Sequence, residues 1–88
     1  MKIVSYDLNE PDKNYPNLIE DIKSFSSWCH LHKSVWLIDT KLTSEQVFDR
    51  LRTHIDKNDE LYVCDVVRYS SVWQGATSKM DEWIKPRG

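Results

Sequence analysis

The sequence predicts one small α+β domain laid out as strand, helix, strand, strand, helix, strand, followed by a C-terminal extension. Three observations predict it: a length of 88 residues, four short β-branched and aromatic runs, and two segments between them with apolar residues three to four apart. That length fits a single domain over residues 1–88, and a domain of this size buries only about 60% of its unfolded surface. With 40% hydrophobic and 30% charged residues, the composition is globular rather than disordered. Four tryptophans help so thin a core, because large rings bury more area than any other side chain.

The first run, KIVSYDL over residues 2–8, reads as a strand, and NEPDKNYP after it reads as a proline-bearing loop. From Asn17, the spacing of Leu18, Ile19, Ile22, Phe25 and Trp28 predicts one face of a helix, capped by Asn14 or Asn17 with Pro16 at an early position. WCHLHKSVWLIDT then reads as two strands turning at Lys33-Ser34. Thr43-Ser-Glu-Gln46 is a capping box, and Leu42 with Val47 forms a hydrophobic staple, so a second helix starts there. Val47, Leu51 and Ile55 continue it, while Arg50, Arg52 and Lys57 lie off the apolar stripe. DKNDE ends that helix and LYVCDVV is the fourth strand. In the tail, a short helix from about Thr77 to Ile84 puts Met80, Trp83 and Ile84 on one side.

Two similar strand-helix-strand halves make the ferredoxin-like β-α-β-β-α-β pattern, with the first strand central and both helices on one face. A strand with one face in water should alternate apolar and polar residues. Here Val35, Trp36, Leu37 and Ile38 are consecutive, as are Leu61, Tyr62, Val63 and Cys64. The second sheet face therefore needs a cover, either the tail helix or a second copy of the chain. Base rates for small proteins favour a homodimer through the sheets.

A formal net charge of −2 is not that of a dedicated electrostatic DNA binder, so any phosphate contact has to be local or metal-mediated. Two cysteines, Cys29 and Cys64, form no disulfide framework. MKIVSYDLNEP does not read as a signal peptide, and no segment has the ~18–20 apolar residues of a membrane span, so the expected address is the cytoplasm.

Asp7 is the first candidate site residue, because a carboxylate at the end of an apolar strand is costly unless exposed or paired. At that end of a central strand it faces the Lys33-Ser34 turn, Asp59 and Glu60, and the Asn9–Asn14 loop. Oxygen ligands meeting there, or one Asp7 from each copy of a dimer, suit Mg²⁺ or Mn²⁺, which activates water and stabilises charge on a phosphodiester. Asp7 could equally serve as a turn former bonding loop N–H groups. Cys29-His30-Leu31-His32 is no zinc site, since alternate strand residues point to opposite faces and no fourth ligand accompanies them. A histidine by the hairpin could act as a base or phosphate contact, or be a partly exposed strand residue only. Arg50 and Arg52 could touch phosphates or form a solvated helix face. With only Gly75 and Gly88, the chain carries no phosphate-binding glycine loop.

KIVSYDLNEPDK resembles the opening strand and Tyr-Asp signature of the small ferredoxin-like subunit of the CRISPR integration complex. HLHKSVWLIDTKLTSEQVFDRLRTHIDKNDELYVCDV resembles that family's hairpin, capped second helix and fourth strand, and His32–Trp36 is similar to its Gln-x-Ser-Val-Phe run. The likeness spans residues 2–66. YDLNEPDKNY with the tryptophan-bearing tail is more similar still to small bacterial and phage proteins grouped as the "SinR family", and virulence-associated protein D is a more distant cousin. The resemblance implies a homodimer with facing sheets and, in some members, a metal-dependent nuclease. It places the metal ligand at Asp7 and the hairpin serine at Ser34. The family's basic residues after the first strand are thinned here to Lys13, and RYSSVWQGATSKMDEWIKPRG departs from its last strand.

Two functions follow as expectations. One is a homodimeric endonuclease using Mg²⁺ or Mn²⁺, with catalytic Asp7 and Ser34 and RNA or DNA contacts from Lys13, Lys33, Arg50 and Arg52. The other is a non-catalytic module that binds nucleic acid or a protein partner through its sheets.

Overall fold

The computed structural model describes residues 1–10 and 15–88. Four strands, β1 (Lys2–Asp7), β2 (Trp28–His32), β3 (Val35–Ile38) and β4 (Glu60–Asp65), form one sheet in the order β2-β3-β1-β4. Every neighbouring pair is antiparallel. Three α-helices accompany it: α1 (Pro16–Lys23), α2 (Ser44–Leu51), extended by a 3₁₀ turn at Arg52–His54, and α3 (Ser78–Ile84). The molecule is thus α+β, and no helix among the described residues is long and apolar enough to cross a membrane.

Strand alternation sorts the apolar residues onto two faces. Val4, Tyr6, Trp36 and Ile38 turn towards α1 and α2, where they meet Leu18, Ile22, Val47 and Leu51. Trp36 is 1% exposed, and its indole N–H donates to the Tyr6 hydroxyl at 3.1 Å, so the largest core side chain keeps its polar atom satisfied. At the far end of β1, Lys2 is buried and pairs with Asp65, its register partner on β4.

The capping box forms: the Gln46 N–H donates to Thr43 Oγ1 at 3.1 Å, and the Thr43 N–H donates to Gln46 Oε1 at 2.9 Å. Helix α1 is shorter than the apolar spacing predicts. It begins behind Tyr15 without a side-chain cap, Asn14 lies outside the described residues, and it stops at Lys23. Ser24, Ser26 and Ser27 follow, and the Ser24 hydroxyl bonds back to the Asp21 carbonyl, competing with helix continuation. Phe25 still reaches the core, but Trp28 begins β2 instead of ending α1. Ile55 likewise packs on the core from beyond the 3₁₀ turn.

The second face receives its cover from within the chain. Cys29, Leu37 and Ile84 are buried together, with Ile3, Leu31, Trp73, Met80 and Trp83 packed around them. Thr77 caps α3, accepting from the Met80 N–H at 3.3 Å. Polar clamps hold the tail. Arg87 donates to Asp39 at 2.9 Å and to the Trp83 carbonyl at 2.7 Å, and Arg68 pairs with Asp39 at 3.2 Å. The Trp83 indole donates to Ser27 at 2.9 Å, and the Arg87 guanidinium lies 4.1 Å from the Trp83 ring centroid. The bare apolar surface that favoured a second copy is therefore covered over β2 and β3 by the tail.

Candidate functional site

The end of the sheet where β1 finishes collects several of the predicted residues. Asp7, Lys33 and Ser34 line one cleft of about 270 Å³ with Tyr6, Leu8, Tyr15 and Ile19. The Lys33-Ser34 turn is tied to β1 there, because the Tyr6 N–H donates to the Ser34 carbonyl at 3.1 Å. Asp7 also lines an adjoining hollow with Ser5, Glu60 and Tyr62. Asp7 and Glu60 are register partners, so two carboxylates stand directly opposite one another across β1 and β4. Side chains so placed have Cβ atoms about 4.5–5.5 Å apart, and like charges there destabilise the pair.

Asp7 is exposed, and among the described residues its side chain makes no hydrogen bond or ion pair. Its neighbour Asp59 behaves in the opposite way. Asp59 accepts from the Asn9 N–H at 2.7 Å, the Tyr15 hydroxyl at 3.1 Å and the Asp56 N–H at 2.8 Å. The turn-forming role that the sequence leaves open for Asp7 is thus taken by Asp59.

As a metal site, this end offers Asp7 and Glu60. No group of three or more His, Cys, Asp or Glu side chains placed to hold a metal occurs among the described residues. Mg²⁺ is commonly held by one or two carboxylates while keeping several waters, and the Asp7–Glu60 pair fits that mode rather than a closed cage.

The predicted phosphate contacts separate. Lys33 joins Asp7 in the cleft. Lys13 lies outside the described residues. Arg50 is turned away into the contact between α1 and α2, where it donates to Asp21 at 2.8 Å and sits 4.5 Å from the Phe25 ring centroid. His54 meets the other Asp21 oxygen at 2.9 Å. Burial pushes the Asp21 carboxyl up, but bonds from Arg50, His54 and Ser24 outweigh it and hold its pKa below the ordinary value. Arg52 pairs loosely with Asp49 at 3.7 Å and lies in a hollow shared with Lys57 and Glu60, on the β4 side of the same sheet end.

The two hairpin histidines lie on opposite faces of the sheet, since His30 pairs with Trp36 and His32 with Val35. His30 stacks on Trp36 with ring centroids 3.8 Å apart and planes 4° from parallel, and its Nε2 lies 3.2 Å from the Lys33 carbonyl. Cys29 is buried beneath the tail, and that burial raises its thiol pKa.

Sequence reasoning placed Glu60 among the oxygen groups near Asp7 but singled out Asp7 alone as the metal ligand. Only the β1–β4 register makes the two carboxylates cross-strand partners, and a register is not written in local spacing. Compared with protein-family models, curated proteins and solved structures, the chain matches none of them.

Proposed function

We propose that this protein is a metal-assisted phosphodiesterase of nucleic acid, with Asp7 and Glu60 holding Mg²⁺ or Mn²⁺ at the end of the sheet. The observation that carries it is the placement of exposed Asp7, opposed by Glu60 across β1 and β4 on one side and sharing a cleft with Lys33 and Ser34 on the other. A carboxylate pair that weakens its own strand pairing is a feature stability alone does not select, and a divalent ion would relieve it. Such an ion would supply Lewis-acid stabilisation and a more acidic water. Lys33 would neutralise a phosphate oxygen and Ser34 would hydrogen-bond one, fixing the scissile group in the cleft.

The same proposal reads the strand order β2-β3-β1-β4, antiparallel throughout, as a ferredoxin-like arrangement with a C-terminal extension. It is consistent with the likeness to the CRISPR integration subunit and its relatives, but takes one chain as the unit. A homodimer through the sheets would have only the β1–β4 half of the second face left to use.

Cleavage of labelled RNA and DNA with Mg²⁺, Mn²⁺ or EDTA tests the reading. Metal-dependent cleavage is expected, with Asp7→Ala lowering it by about a hundredfold or more while the circular dichroism spectrum stays unchanged. Equal cleavage by Asp7→Ala and the parent protein would end the proposal.

A second reading, a non-catalytic binding module, draws on the surface after β4. Val67, Tyr69 and Val72 are 75%, 75% and 98% exposed, and Tyr69 holds a φ of 65° in the left-handed region, unusual for a non-glycine residue. On that reading Asp7→Ala leaves function intact and polar replacement of Val67 and Val72 abolishes it.

A further inference from the structure

Charge is not evenly spent in this molecule. All four arginines, and Lys2 and Lys85, are paired with carboxylates. Among the described residues, the lysines left without a carboxylate partner are Lys23, Lys33, Lys41, Lys57 and Lys79. Three of these five border the edge strand β2. Lys23 lies 5.5 Å from the Trp28 ring centroid, Lys79 lines a groove of about 440 Å³ with Trp28, His30, Met80 and Trp83, and Lys33 stands in the turn that ends the strand. Among the described residues, no carboxylate lines that groove.

Aromatic surface accompanies the charge. Trp28 is 38% exposed and packs its ring 5.5 Å from Trp36, while exposed His30 lies flat on the other part of the same cluster. Trp28 and His30 pair with Ile38 and Trp36 and so share one side of the strand, whereas the bulge turns His32 to the other side with Val35. From Trp28 to Lys33 the strand runs roughly 16 Å, and at Lys33 it reaches the cleft that holds Asp7 and Ser34.

Resting on the phosphodiester reading above, we infer that the β2 edge is a track for single-stranded nucleic acid. Bases stack on Trp28 and His30, phosphates meet Lys23, Lys79 and Lys33, and the strand is led to Asp7. Base stacking on exposed rings combined with a cationic groove is the general solution for binding single strands without reading sequence. An acidic peptide added as a fifth strand is the rival occupant of a cationic sheet edge. The β2–β3 register shifts between His30 and His32, leaving Leu31 as an extra residue, and such a bulge disrupts the regular ladder that an added strand needs. The geometry therefore favours nucleic acid.

The test is binding measured in EDTA, where no metal-dependent cleavage occurs, using a fluorescein-labelled mixed-sequence DNA strand and its RNA counterpart. Binding of either strand that quenches tryptophan fluorescence and weakens with salt is expected. The double variant Lys23→Gln/Lys79→Gln, altering two exposed side chains, should bind about tenfold more weakly, with its log–log salt slope reduced by about 1.4. Trp28→Ala should bind more weakly still and lose part of the quenching, provided its melting curve matches the parent's. Parent-like binding by the lysine double variant would overturn the track, as would an equal preference for duplex, or full competition by poly-glutamate. Asp7→Ala separates the two proposals. If it binds normally without cleaving, both stand; if the parent protein binds along β2 but never cleaves, the track survives and the phosphodiesterase reading falls. If cleavage occurs with an unchanged KM in the lysine double variant, the track falls and the catalytic reading remains.

Discussion

Over β2 and β3, the second face of the sheet lies beneath Met80, Trp83 and Ile84, whereas at the Asp7 end of β1 and β4 it presents Asp7, Glu60 and Tyr62 to solvent. Both halves belong to the same sheet and share the same alternation, yet their chemistry is opposite. The covered half is apolar and its polar atoms are matched: Ser27 and Asp39 each take bonds from the tail. The open half sets one carboxylate directly against another and leaves Tyr62 66% exposed. Stability explains the first half and not the second. Side chains that folding would not select, placed together at one end, are what mark a surface as functional.

The sharpest way to break this comparison is to damage each half and compare unfolding. Ile84 is 2% exposed, and Ile84→Ala should cost about 2–4 kcal/mol by leaving a cavity above Leu37 and Cys29. Asp7→Ala should move stability by no more than about 1 kcal/mol, and upward where it relieves the repulsion from Glu60. Urea midpoints measure both. An Ile84→Ala protein as stable as the parent would mean that the tail merely rests on the sheet, and the distinction between the halves would dissolve.

A gentler probe acts through Asp39, the carboxylate that fastens the tail. Partial burial pushes its pKa up, but Arg87 and Arg68 outweigh this and hold it below the ordinary value of 3.8. A depressed carboxylate contributes stability that is present above its unfolded pKa and is lost as pH falls through the folded one. The tail should therefore be tight at neutral pH and loosen as pH drops below about 3.8. Asp21 between α1 and α2 follows the same sign over the same range, so acid titration alone mixes the two. Asp39→Asn separates them. At pH 7 it should cost about 1 kcal/mol, since part of the charge-assisted bonding survives in water, and it should speed proteolysis after β4 without touching the Asp7 cleft. Unchanged cleavage of the tail by protease would show that apolar packing under Trp83 and Ile84 suffices without the clamp.

The covered half was the more legible in sequence. Met80, Trp83 and Ile84 repeat at helical spacing behind Thr77, and the consecutive apolar residues of β3 announce a sheet buried on both sides. What spacing could not say was which cover the second face would take, because a tail helix and a second copy present the same kind of apolar surface. The tail helix takes the β2–β3 part of that face, fastened by long-range polar contacts, Arg87 with Asp39 and Trp83 with Ser27, that join residues far apart in the chain. At the open end, Asp7, Lys33 and Ser34 were legible because strand ends and turns carry local signals. Glu60 was harder, since its partnership depends on the β1–β4 register. Arg50 is exposed, as its place off the apolar stripe implies, but it also reaches back to Asp21 and Phe25, contacts with residues of α1 and its end that local spacing does not carry.

The smallest effect is also the most discriminating. If Asp7 and Glu60 repel across the strands, Glu60→Gln should stabilise the protein by about 0.2–1 kcal/mol at low salt, and the gain should shrink as salt screens exposed charges. The same substitution should lower metal-dependent cleavage, because an amide holds a divalent ion less well than a carboxylate. Opposite signs for stability and activity at one residue are what a functional pair predicts, since a purely structural residue moves both downward together. Titrating Mg²⁺ into the parent protein while following its melting temperature completes the experiment: an ion seated between the two carboxylates should raise the melting temperature of the parent and leave Glu60→Gln nearly unmoved. A Glu60→Gln protein that is less stable at every salt concentration would show that Glu60 serves the fold, and Asp7 would then stand without a neighbour to share an ion.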